Sequence, residues 1–183
     1  MKKLTLKQIV LSIVFFIAGS LWTNAAPEYA EISPKVKDAS YLILIEQDEK
    51  ITYYLLEEEV YKIITLSDYP KTKNWQLKIF FAPNHENLKQ EYENIIPARV
   101  KKGMYVECAE PDSPKTFWAT SLELSYNSKT QTATVIDIYT YNELGEIMTK
   151  LKSPDNKVYT LSESPEIKNL CDKVNTYLKK RLT

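Results

Sequence analysis

Few side chains in this sequence are equipped for chemistry, and their spacing narrows the field further. There is one histidine, His85, inside Pro83-Asn84-His85-Glu86. A lone loop histidine reads as a surface residue. Its carboxylate neighbour, Glu86, is adjacent in sequence, which is not ligand spacing on a helix or a strand. Phosphate-cradling loops need glycines so that backbone N–H groups can approach the phosphate. Beyond residue 25 only Gly103 and Gly145 occur, far apart. Gly-x-Ser-x-Gly and Ser-x-x-Lys, the usual signatures of serine acylation, are absent. Asp137 stands inside the apolar run Val135–Tyr139, an odd place for an acid. The plain reading puts it on the solvent side of a strand; the alternative is a functional carboxylate of perturbed acidity. Paired acids for glycoside chemistry assemble in space and leave no signature to find. The expectation is a domain without catalytic, cofactor-binding or metal-binding residues.

The two cysteines, Cys108 and Cys171, carry the remaining reactive chemistry. In an exported chain two cysteines most economically form one disulfide. The loop closed by Cys108–Cys171 would span about 64 residues, worth roughly 4 kcal/mol in the chain-entropy account. The alternative is two unpaired buried thiols.

Export is suggested by the first residues. Lys2, Lys3 and Lys7 form a basic stretch, Ile9 to Trp22 is an apolar one, and Thr23-Asn24-Ala25 offers a small residue before Ala26 for cleavage. The apolar run is short for a spanning helix, and residues 1–25 read as a signal peptide; the alternative is an uncleaved N-terminal anchor. No cysteine follows for lipid attachment. The expected location is the periplasm, the medium or the cell surface of a bacterium. The remaining residues, roughly 158, suit one domain. The whole chain has 24 basic and 24 acidic residues, so removal of the three signal lysines leaves a formal net charge of −3. That balance disfavours a nucleic-acid binder, which needs clustered positive charge, and a polybasic membrane-surface protein. A protein partner is the expectation, with no membrane span after cleavage.

Several elements can be drawn from the pattern. Residues 26–39, with Pro27 and Pro34, read as an extended lead-in to a domain at 40–183. Tyr41 to Ile45 and Ile51 to Leu56 form a hairpin around a polar turn. Glu57-Glu58-Glu59 reads as a solvated kink and Val60 to Leu66 as a resumed strand. Trp75, Leu77, Ile79 and Phe81 alternate onto one face of a strand. Asn84 to Ile96 stays open between a short helix and an excursion. In Met104–Cys108 the alternation gives Met104, Val106 and Cys108 a shared core face. Ser121 to Lys152 reads as a three-strand meander whose last turn places Gly145 at positive φ. Ser164 and Pro165 then read as an N-cap and first helical residue. Ile167, Leu170, Cys171, Val174, Tyr177 and Leu178 follow on one stripe to Leu182. Lys179, Lys180 and Arg181 suit the negative end of that helix. The expected fold is α+β: one antiparallel sheet of about six strands, with a C-terminal helix packed on it and fastened by the disulfide. Tyr53, Tyr54, Tyr139 and Tyr141 cover both strand parities, so some tyrosines line an exposed sheet face. Such a face suits a protein partner, and equally a sheet with none.

Tyr105-Val106-Glu107-Cys108, the strand Thr132–Tyr141 with Tyr141-Asn142-Glu143-Leu144-Gly145, and Ser164-Pro165 leading to Cys171 follow one another in a specific order. In that order the chain resembles the surface-adhesin protein E family of bacterial exported proteins. The resemblance covers the last eighty residues best. It implies an antiparallel sheet with a disulfide-fastened C-terminal helix, and adhesion to host proteins as in the family's founding member. The chain departs from the named adhesin in lacking a lipid-attachment cysteine, which shifts the expected location towards a free periplasmic or secreted one. No adhesive residue carries over by motif. A rival expectation is a periplasmic inhibitor or immunity-type protein that neutralises an enzyme or toxin, since such a protein would share the same thin chemistry.

Overall fold

The computed structural model describes residues 41–109, 112–152 and 158–182. The signal and lead-in expected at 1–25 and 26–39 lie outside the described residues. Eight strands make one sheet: β1 (Leu42–Gln47), β2 (Ile51–Leu56), β3 (Trp75–Pro83), β4 (Tyr105–Glu107), β5 (Phe117–Asn127), β6 (Thr132–Asn142), β7 (Ile147–Leu151) and β8 (Val158–Thr160). Between them lie α1 (Glu57–Leu66), the single turn α2 (Tyr69–Thr72), α3 (Glu86–Lys101) and the C-terminal α4 (Pro165–Leu182). The strands run β1-β2-β3-β5-β6-β7-β4, with β8 beside the start of β6, and the described pairings are antiparallel. The α+β expectation holds, with eight strands in place of about six.

One face of the sheet is covered by helices. Leu55, Ile79, Leu122 and Ile138 sit directly opposite one another across four strands and are all but inaccessible. Trp75, Leu77 and Phe81 join them, as their alternation requires. Helix α4 lays Ile167, Leu170, Cys171, Val174 and Leu178 on this face, and Tyr177 packs beside them only partly buried. Trp75 donates from Nε1 to Asn175 Oδ1 at 2.9 Å. Lys173 pairs with Glu46 and lies over the Tyr53 ring, which ties the helix to β1 and β2.

Two expectations need correction, and one left open is settled. Glu57 to Leu66 is a helix, not a kink followed by a strand. Val60, Ile63 and Ile64 fall at i, i+3 and i+4 and pack on the core, while the three glutamates occupy the first turn, where the helix dipole favours anions. The open stretch at Asn84–Ile96 is α3, which continues through Pro97 to Lys101. Pro97 has no N–H for the carbonyl four residues back; buried Leu88 and Ile96, with Tyr92 stacked on Phe117 at 4.7 Å, hold the helix against the sheet. Helix α3 carries the chain from β3 to the far edge, which is why β4 lies outside the meander.

The second correction is the disulfide. Cys108 and Cys171 are both free thiols, the first exposed and the second buried. The parity of β4 is the reverse of the expected one. Tyr105 faces the core opposite Leu151, and Val106 and Cys108 stay outside. β4 borders β7 at one end of the sheet, whereas α4 packs towards β1 and α1 at the other. Packing and the polar contacts of Asn175 and Lys173, without a disulfide, hold the C-terminal helix.

Tyr141-Asn142-Glu143-Leu144-Gly145 is built as a turn. Asn142 is fully buried; its Oδ1 accepts from the Leu144 and Glu146 N–H groups and its Nδ2 donates to the Pro114 carbonyl. Gly145 has φ +77°, as expected.

Candidate functional site

The opposite face of the sheet carries no described helix and has its own chemistry. Register places Leu44, Tyr54, Phe80, Ser121, Tyr139, Lys150 and Val106 side by side on seven successive strands. At about 4.8 Å per strand the row spans roughly 29 Å. Its ends are apolar and open, with Leu44 54% and Val106 46% exposed. Its middle is aromatic. Phe80 lies 5.2 Å from the Tyr141 ring and 6.1 Å from Trp118, and Trp118 meets Tyr141 edge-on at 6.4 Å. Tyr54, Phe80 and Tyr141 are buried, while Trp118 and Tyr139 are half-exposed. The residue at 118 reaches this side because a bulge between Phe117 and Ala119 breaks the alternation of β5.

Polar groups ring Tyr139. Its hydroxyl donates to Asp137 Oδ2 at 3.0 Å, and Lys150 Nζ pairs with the same oxygen at 2.6 Å. Asp137 Oδ1 accepts the Ile138 N–H at 2.9 Å. Asp137 is on the helix-free side, as a solvent-facing acid would be, but only 5% exposed. A bulge in β6 shortly before it tucks it under Lys150 and Tyr139, where its partners compensate its burial. Lys150 Nζ lies 5.3 Å from the centre of the Tyr139 ring and Lys78 Nζ 4.9 Å, so two ammonium groups reach one ring from β7 and β3. Next to them Gln76 donates to Glu123 Oε1 at 2.7 Å, and the Lys78 N–H donates to Glu59 Oε2 at 2.9 Å.

Protonation follows these contacts. The hydrogen bond to Asp137, above all, lifts Lys150 to about 12, so it stays charged. Burial pushes the Tyr141 phenol up to about 12 and raises Tyr139 as well, the bond to Asp137 adding to the latter. All these phenols stay neutral near pH 7. The face offers aromatic surface, neutral hydroxyls and two ammonium groups: equipment for binding.

Residues singled out in the sequence fall elsewhere. His85 is the residue before α3 and caps it with no side-chain bond. Burial raises the Cys171 thiol to about 12, which leaves it un-ionised and inert. Beneath α3, Tyr92, Ile95, Ile96, Arg99, Tyr105, Thr120 and Thr140 line a small cavity with no carboxylate in its wall. Among the described residues no group of three His, Cys, Asp or Glu side chains could hold a metal ion. No described helix is long and apolar enough to cross a membrane. Sequence reasoning missed Lys78, Lys150 and Trp118. The first two were legible only as ordinary strand lysines, and the third depends on a bulge that no local pattern signals. Comparison of the chain with protein-family models, curated proteins and solved structures finds no match.

Proposed function

We propose that this is a non-enzymatic exported binding domain, and that it engages a protein partner through the helix-free sheet face. The observation that carries the reading is the row from Leu44 to Val106: apolar at both open ends, aromatic in the middle, with charged groups around Tyr139. Interfaces are enriched in aromatic residues whose polar tips find partners at a rim. The resemblance to the surface-adhesin protein E family agrees with this reading, and so does the basic-then-apolar start of the chain. The family's disulfide is no part of the proposal, since both thiols are free.

The test is capture of partners from host-matrix and periplasmic extracts by the protein, run in parallel with Trp118→Ala and Tyr139→Ala. A partner retained by the wild type and lost by both variants supports the reading. Equal retention by all three, or none by any, overturns it. A captured periplasmic enzyme in place of a matrix protein would identify an inhibitor using the same face.

A further inference from the structure

We infer that the partner presents a carboxylate to this face, set between Lys78 and Lys150 above the Tyr139 ring, on an otherwise apolar segment. The inference rests on the binding reading above and gives the partner its chemistry.

The hydrogen bonding of the face is lopsided. Each of its carboxylates has donors from the chain itself. Asp137 takes the Ile138 N–H, the Tyr139 hydroxyl and Lys150; Glu123 takes Gln76; Glu59 takes the Lys78 N–H. The ammonium groups are less well served. Lys78 Nζ rests over the Tyr139 ring and forms no ion pair with the described residues. Lys150 turns to Asp137 and to the Tyr139 hydroxyl, and keeps a side chain 44% exposed. An ammonium has three protons to donate, so unmet demand on this surface is for acceptors. A partner carboxylate answers it. Trp118 and the exposed Leu44 and Val106 ask instead for apolar side chains on either side. A sulfated or phosphorylated polymer fits poorly. Asp137, Glu123 and Glu59 stand within the same patch, and the whole chain is formally neutral, so a polyanion would meet repulsion wherever it extended beyond the two lysines.

The probes are two synthetic peptides, acetyl-Thr-Phe-Glu-Phe-Thr-amide and its Gln counterpart, titrated into the ¹⁵N-labelled protein and followed by NMR. The Glu peptide should shift the amides of Lys78, Tyr139 and Lys150 and bind about fivefold more tightly than the Gln peptide, the scale of one exposed ion pair. Lys78→Met should abolish the difference and Lys78→Arg keep it, with signals away from the face unchanged as the control for folding. Equal binding of both peptides at this face overturns the carboxylate and leaves the docking face standing. Peptide-induced shifts confined to other surfaces overturn both. Tighter binding of a heparin oligosaccharide than of the Glu peptide, at the same three residues, overturns the peptide in favour of a glycan.

Discussion

Alternate residues of the same strands build two unlike faces, and the contrast shows how one sheet can be both a core and a surface. On the helix side Leu55, Ile79, Leu122 and Ile138 meet in the core, and the buried polar groups there are few and small: Thr120, with Thr140 and Thr149 bonded to each other through their hydroxyls. On the other side Tyr54, Phe80 and Tyr141 are equally buried in the centre, yet they are bordered by Trp118, Tyr139, Lys150 and Glu123, which reach solvent. The covered face is mainly apolar packing. The helix-free one adds hydroxyls, a buried carboxylate and ammonium groups, each positioned by register. A side chain on the first face is worth its packing; one on the rim of the second is worth little to folding and is free to serve recognition.

The largest expected difference concerns the two thiols, one beneath the helices and one outside. Cys171 reacts only when α4 leaves the sheet, whereas Cys108 stands exposed on an edge strand. A thiol reagent such as Ellman's should modify one cysteine per native, unreduced chain quickly. The second should follow more than about a thousandfold more slowly, the scale set by a typical unfolding free energy of about 5–15 kcal/mol. In denaturant both should react at once. No reactive thiol in the denatured, unreduced chain would restore the disulfide, and equal rates in the native protein would mean that the helix does not cover the sheet.

Truncation gives the same contrast in free energy. Leu124 is fully inaccessible, so Leu124→Ala should destabilise the domain by about 2–5 kcal/mol. Tyr139→Ala, on the half-exposed rim, should cost about 1 kcal/mol or less. Urea denaturation of both variants checks the pair. Similar losses would show that the helix-free face is a second core.

Alkali sharpens the comparison, because the helix-free face has a dry centre of its own. Burial raises Tyr141 to about 12 in the folded chain, against about 10 when unfolded. The folded state therefore holds this proton more tightly. Its contribution is complete below about pH 10 and is lost as pH rises towards 12, at no more than about 1.4 kcal/mol per pH unit. The tyrosinate absorbance that Tyr141→Phe removes should appear late and together with loss of the folded fluorescence, and the same substitution should flatten the stability loss. Early titration of every phenol in a chain that stays folded would mean that water reaches Tyr141.

What the sequence made legible follows from how local each signal is. The alternation of Trp75, Leu77, Ile79 and Phe81, and the helical stripe from Ile167 to Leu178, are patterns within one element, and both sit where expected. Gly145 is likewise set by its own turn. The misreadings lie where tertiary structure decides. Val60–Leu66 is rich in residues common in strands, and its i, i+3, i+4 stripe becomes decisive only with its place after β2, over the core. In β4 three residues give too short a run for parity to show, so Val106 was placed inside and Tyr105 outside, the reverse of their burial. The disulfide failed with that parity. The candidate site was the least legible part. Lys78 and Lys150 are 72 residues apart in the sequence, and what joins them is the strand order together with the ring of Tyr139, which sits between β3 and β7.

The smallest expected effect tests whether the charges around Tyr139 serve folding at all. Asp137 is buried but Lys150 reaches solvent, so water screens their attraction. A double-mutant cycle of Asp137→Asn and Lys150→Met should give a coupling below about 1 kcal/mol. Asp137→Asn alone should cost more than Lys150→Met alone, because the acid also serves the Ile138 N–H and the Tyr139 hydroxyl. If instead the coupling proved large, about 3 kcal/mol or more, the pair would belong to the fold as a desolvated bridge. Lys150 would then be committed to Asp137 and unable to receive a partner's carboxylate. A weak coupling leaves the ammonium group held in place by geometry, charged, and available.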